Sequence, residues 1–105
     1  MTAAQFRRLA LALPEAVESS HFDHPDFRVR NKIFATLGYP DPRNGMVRLT
    51  PGQQEELLRT APESFRPAAG AWGRSGSTVV LLSATKVTTL APIIRLAWAN
   101  ITARK

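Results

Sequence analysis

Asp26-Phe27-Arg28-Val29-Arg30-Asn31-Lys32-Ile33-Phe34-Ala35-Thr36-Leu37 is the stretch on which the fold turns. Phe27 and Val29 alternate with Arg28 and Arg30, the period of a strand with one buried and one solvated face. After a polar Asn31-Lys32 tip the apolar signature returns in Ile33 to Leu37. The pattern predicts two antiparallel strands joined by a tight turn. Side chains alternate with period two, so a one-residue slip would exchange the faces of the second strand, and Phe34 stays open between core and surface.

Upstream, Ala16 to His21 reads as a short strand, and Pro25 bounds whatever follows it. Before that, Phe6, Leu9, Ala10 and Leu13 recur at three- and four-residue spacing and predict a helix from Ala3 to Leu13, with Thr2 as N-cap, Pro14 as stop, and Arg7 and Arg8 facing outward. Downstream, Gly38 to Gly45 is dense in turn formers and leads into a short strand, Met46 to Leu49. Thr50-Pro51 starts a second helix that runs to about Ala61, where Pro62 ends it.

A glycine- and proline-rich segment, Pro67 to Gly76, precedes the β-branched run Thr78 to Leu82, the strongest strand in the chain. From Thr88 onward Leu90, Ile93, Ile94, Ala97, Trp98 and Ile101 mark a wide apolar helical face, with Thr88 as the preferred N-cap because Pro92 then falls early in the helix. The expected architecture is α+β: an antiparallel sheet of about four to five strands, with three helices packed mainly on one face.

A chain of 105 residues fits one domain, spanning 1–105. It has no cysteine, which excludes disulfides and thiolate chemistry, and its start lacks the apolar core of a signal peptide. The expectation is a cytoplasmic monomer without membrane association. The formal net charge is +6, which favours polyanions. Placement matters more than the total. Residues 14 to 27 hold Glu15, Glu18, Asp23 and Asp26 with no base, whereas residues 64 to 105 hold Arg66, Arg74, Lys86, Arg95, Arg104 and Lys105 with no acid.

Candidate chemistry is sparse. His21-Phe22-Asp23-His24-Pro25-Asp26 gathers two imidazoles and two carboxylates; on one strand His21 and His24 would point to opposite faces, and a proline-bounded turn could bring them together, but no third ligand stands at a metal spacing. Histidines bracing a turn are the simpler reading. No serine lies in a nucleophile-elbow setting, and Glu55 and Glu56 sit on an amphipathic helix as solvated charges. Gly70-Ala71-Trp72-Gly73-Arg74-Ser75-Gly76 lacks the Lys-Ser/Thr ending of a phosphate loop and precedes a strand. It reads as a turn whose Trp72 covers a core edge, or whose Trp72 and Arg74 face a partner. No catalytic residue, metal or cofactor is expected.

Arg28, Arg30 and Lys32, with Arg48 adjacent, would form a basic ribbon suited to a phosphate backbone, although neither a helix-turn-helix nor an RNP-type aromatic strand is present. The order of Ala10-Leu11-Ala12-Leu13-Pro14, His24-Pro25-Asp26-Phe27-Arg28-Val29, Lys32-Ile33-Phe34-Ala35, Leu49-Thr50-Pro51, Phe65-Arg66-Pro67, Ala71-Trp72-Gly73 and Ala97-Trp98 resembles the MmcQ/YjbR family over nearly the whole chain. That resemblance implies a small fold similar to the frataxin homologue CyaY, of the double-wing DNA-binding type. It carries over no catalytic motif. A frataxin-like acidic iron ridge is missing, since the first helix carries Arg7 and Arg8 and no carboxylate.

Two alternative functions are therefore expected, each resting on its own surface. The first is DNA binding through phosphate contacts by Arg28, Arg30, Lys32, Arg48 and Arg74. The second is a protein-interaction or small-ligand surface built on Tyr39 and Trp72.

Overall fold

The computed structural model describes residues 1–103, so Arg104 and Lys105 of the acid-free C-terminal stretch lie outside the described residues. Its elements follow the order α1 (Ala3–Leu11), β1 (Val17–His21), β2 (His24–Val29), β3 (Lys32–Leu37), β4 (Asn44–Arg48), α2 (Pro51–Thr60), β5 (Phe65–Pro67), α3 (Gly70–Arg74), β6 (Ser77–Leu81) and α4 (Val87–Thr102). The strands form one antiparallel sheet of six, ordered β1-β2-β3-β4-β6-β5.

Two tight hairpins build the first half of the sheet. Phe22-Asp23 joins β1 to β2 and Arg30-Asn31 joins β2 to β3, and all four residues have positive φ, between 48° and 64°. Left-handed backbone at both loop positions matches the right-handed twist of the flanking strands, which is why two-residue hairpins adopt it. The tip thus falls one residue earlier than the expected Asn31-Lys32, and Lys32 opens β3.

The register question at Phe34 is resolved by a bulge. Phe27 pairs with Ala35 but Arg28 pairs with Ile33, so β3 carries one extra residue, Phe34, opposite that step. A bulge re-aims side chains that strict alternation would send to the wrong face. Phe34 and Ala35 both enter the core, while Ile33 and Thr36 lie on the opposite face.

That core collects Phe6, Ala10, Phe27, Val47, Val80, Leu90, Ile94 and Ala97, with the Phe6 and Phe27 rings 6.1 Å apart. Helices α1 and α4 pack over it, and Leu57 and Leu58 of α2 join at its margin. Capping boxes close the starts of α1 and α2, where Thr2 and Gln5, and Thr50 and Gln53, exchange side-chain and backbone hydrogen bonds. The protein's N-terminal ammonium donates to the carbonyls of Leu82 and Thr85, at 2.7 and 3.0 Å, and so ties α1 to the turn before α4.

Three details depart from the sequence reading. Helix α4 begins at Val87 with Lys86 as its N-cap, two residues before the expected Thr88, so Pro92 lies in its second turn. Proline removes the bond to the Thr88 carbonyl, and Thr88 and Pro92 share the exposed side of α4, where such a loss costs least. The Gly70 segment forms the short helix α3 rather than a simple turn, and Phe65–Pro67 adds a three-residue edge strand. No helix is long and apolar enough to cross a membrane among the described residues.

The junction where β4, α2 and β6 meet depends on Gly76. Its φ is +113°, and a Cβ there would stand 2.0 Å from the Leu49 carbonyl oxygen. Gly52, inside α2, has open space around the same position. Gly76→Ala is expected to destabilise the fold by about 3 kcal/mol or more, from backbone strain plus overpacking. Gly52→Ala is expected to be neutral or stabilising by about 0.5–1 kcal/mol. Urea unfolding midpoints of the two variants check both.

Candidate nucleic-acid interface

The face of the sheet turned away from α1 and α4 is formed by alternation from His24, Asp26 and Arg28 on β2, Ile33 and Thr36 on β3, Met46 and Arg48 on β4, and Ser77 and Val79 on β6. Among the described residues α3 and the loop after β3 cover part of it. Tyr39 packs there against a small cluster of Met46, Ala68 and Val79.

Asp26 is the organising group. It has no solvent exposure, yet its carboxylate accepts hydrogen bonds from Arg28 Nε at 2.8 Å and Nη2 at 3.1 Å, and pairs with His21 Nδ1 at 2.7 Å. The Arg28 fork holds the Asp26 carboxyl below its usual range, against the upward push of burial, and His21 lowers it further. Charge-assisted, bidentate contacts of this kind fix geometry as well as energy. Both donors are thereby held at set positions on the open face. His21 is oriented through Nδ1, which leaves Nε2 free of the carboxylate.

His21 and His24 are not on opposite faces, as one continuous strand would require. The two-residue turn makes them cross-strand partners, with rings 6.4 Å apart. Among the described residues no group of three or more His, Cys, Asp or Glu is arranged to hold a metal ion. His24 instead begins an aromatic arc: it meets Tyr39 edge-on at 5.6 Å, and Tyr39 lies 6.5 Å from Trp72. At the other end of the arc His21 meets Phe22, which is 90% exposed.

Beyond Ala35 and Val47 the β3–β4 ladder stops and the two strands part. A cleft of about 670 Å³ opens there, bounded by Arg28, Lys32, Arg48, Thr50, Ser77 and Asn100 among others, with no carboxylate in its lining. Among the described residues Lys32 and Arg48 form no ion pair, and Arg28 keeps Nη1 uncommitted beside its Asp26 fork. A smaller cavity of about 170 Å³ adjoins it, with His21, Met46 and Trp72 in its walls and Ile33, Arg48 and Ser77 shared with the cleft. Trp72 is 56% exposed, so it is not a lid sealed over a core edge.

The sequence-derived ribbon is therefore redrawn. Arg28, Lys32 and Arg48 come together around the cleft. Arg30 does not join them: it sits in the hairpin tip and donates from Nη1 to the Thr102 carbonyl at 3.2 Å, at the negative end of α4. A two-residue turn takes Arg30 out of strand alternation, which is the physical reason. Arg74 ends α3, exposed and outside the lining of both cavities. Ile33 and Ser77 were not legible as site residues, and His21 was read as bracing a turn rather than facing this cavity, because the Phe22-Asp23 turn carries no glycine and the Phe34 bulge no sequence mark.

Asp26→Asn is expected to lower stability at pH 7 by about 2–4 kcal/mol, since it removes the buried negative charge and sets an amide NH2 against a donor where one carboxylate oxygen had accepted. A carboxyl depressed in the folded state contributes stability that is full above its unfolded pKa of about 3.9 and is lost as pH falls through the folded value. The gap between wild type and Asp26→Asn should hold from pH 7 to about 5 and close on further acidification, as read from urea titrations at each pH.

Comparison with known proteins agrees with this architecture. The crystal structure of Deinococcus radiodurans protein DR2400, described by its domain DUF419, superposes with a TM-score of 0.80 at 22% identity, covering 98% of this chain and 80% of that one. A comparison with curated proteins gave no match. The model of the YjbR family matches residues 11–100, a span that runs from the end of α1 to the last turn of α4 and takes in every strand of the sheet. The chain belongs to the YjbR family.

Proposed function

We propose that the protein binds nucleic acid by phosphate contacts in the cleft between β3 and β4, which extends from the open face of the sheet to the end of α4. The observation that carries this reading is the carboxylate-free cleft of about 670 Å³ with Arg28, Lys32 and Arg48 in its lining. A lone basic surface solvates itself, but cations converging on a concavity raise the local potential and favour a bound anion. The net charge of +6 adds long-range attraction for a polyanion. The cap of α2 uses its own Thr50 and Gln53 side chains, so the side-chain cations rather than that helix end supply the attraction. The reading assigns no chemical step to the protein.

A second reading, a protein- or small-ligand-binding surface on Tyr39 and Trp72, draws on the exposure of Trp72 beside the smaller cavity. It predicts a partner whose affinity is insensitive to salt, which separates it from the first.

Fluorescence anisotropy of labelled oligonucleotides, titrated between 50 and 200 mM salt, tests the proposal. Three phosphate contacts predict a log-log slope of about −2.7 on duplex DNA, from about −0.9 per contact. The double variant Lys32→Ala, Arg48→Ala should flatten the slope by about 1.8 and weaken all sequences alike. Arg30→Ala should leave the slope unchanged. A wild-type protein that binds no oligonucleotide at 50 mM salt would sink the proposal.

A further inference from the structure

Resting on that reading, we infer that the polynucleotide taken by the open face is single-stranded, with one base unstacked into the Trp72 cavity and its phosphate in the adjoining cleft.

The two cavities are contiguous. They share Ile33, Arg48 and Ser77, so Arg48 stands between a basic compartment and one walled by Trp72, Met46 and Ile33. A nucleotide has the same division: a flat apolar ring and an anion joined through a short linker. The smaller cavity, about 170 Å³ against about 670 Å³ for the cleft, is the compartment of ring-like dimensions, walled by Trp72, Met46 and Ile33. Bases of a duplex are paired and stacked inward, and extruding one costs a few kcal/mol, a cost that a single strand largely avoids.

The backbone that carries Trp72 is fixed before any ligand arrives. The Ser75 hydroxyl donates to the Trp72 carbonyl at 2.9 Å, and Gln54 Nε2 donates to the Gly73 carbonyl at 3.0 Å. Gly73 itself lies so close to the Ala68 backbone that a Cβ would stand 1.8 Å from the Ala68 oxygen, so α3 is clamped onto the chain before it. An aromatic platform that loses little freedom on binding gives more of its stacking energy to affinity. From Trp72 the arc of Tyr39, His24, His21 and Phe22 continues along the open face. Aromatic rings interleaved with cations on an open antiparallel sheet are the arrangement by which proteins hold single strands, since each base offers a π-face whatever its sequence.

The test is anisotropy with labelled oligo-dT, oligo-U, an abasic strand of equal length and a duplex, on wild type, Trp72→Ala and Trp72→Phe, with thermal melts to show that each variant folds. Wild type should bind oligo-dT or oligo-U at least tenfold tighter than the duplex. Trp72→Ala should weaken single-strand binding about tenfold or more while leaving duplex affinity, abasic affinity and the salt slope unchanged, and Trp72→Phe should restore most of the loss. The dT and U arms show whether DNA or RNA is preferred. Equal affinity of wild type for single strand and duplex, or a folded Trp72→Ala with unchanged single-strand affinity, overturns this inference while the phosphate cleft stands. Absence of binding to every oligonucleotide overturns both.

Discussion

Strand β3 carries one residue more than β2 across the step from Phe27 to Arg28, and the two faces of the sheet depend on it. Without the extra residue, strict alternation would put Phe34 on the face opposite Ala35. Either a large aromatic would lie on the open face, or the whole strand would slip and take Ile33 and Thr36 into the core. The bulge lets Phe34 and Ala35 both pack beneath α1 and α4 while Ile33 stays opposite Arg28. It also increases local twist, in the same region where β3 and β4 diverge beyond Ala35 and Val47. The cleft is thus a consequence of how the core is filled.

A second constraint acts within the open face. A buried carboxylate is unfavourable unless it is fully partnered, and Asp26 meets that condition only through Arg28 and His21. The arrangement fixes a guanidinium and an imidazole on the surface at the expense of part of Arg28's charge. Lys32 and Arg48 then provide the uncompensated charge of the cleft. A division between orienting groups and attracting groups follows, and it explains why an acid sits in the middle of a surface otherwise suited to anions.

Much of the fold could be read before any coordinates. Periodicity located α1, α4 and the β2–β3 hairpin, because each buries one face and so keeps a strict spacing of apolar residues, while α2 was marked by its Thr50-Pro51 start and Pro62 stop. What escaped was set by backbone geometry with weak sequence marks. Phe22 and Arg30 adopt positive φ without being glycine, so the hairpin tips lay one residue from where the polar pattern put them or went unseen. The site suffered most from this. Arg28 and Lys32 were identified from alternation and Arg48 as their neighbour, Arg30 was misplaced by a one-residue shift of the turn, and the cross-strand meeting of His21 with His24 and Asp26 required knowing that Phe22-Asp23 is a two-residue loop.

The polar separation along the chain acquires a spatial meaning only through this topology. Of the acids among residues 14 to 27, Glu18 is paired with Arg7 and Asp26 with Arg28 and His21, while Glu15 and Asp23 lie in turns at the margins of the sheet. Glu55 and Glu56 are carried on the exposed side of α2, and Asp41 is held by Arg43 well below the usual carboxylate range, at about 2. No carboxylate is left to line the cleft, although strand order brings β2, β3, β4 and β6 together from distant parts of the sequence. A surface left positive by chance would be expected to mix both signs in a chain with eight acids. Here each acid near the open face is either paired or displaced to its edge, and that ordering, more than the net charge, is what leaves the cleft lined by cations without a carboxylate.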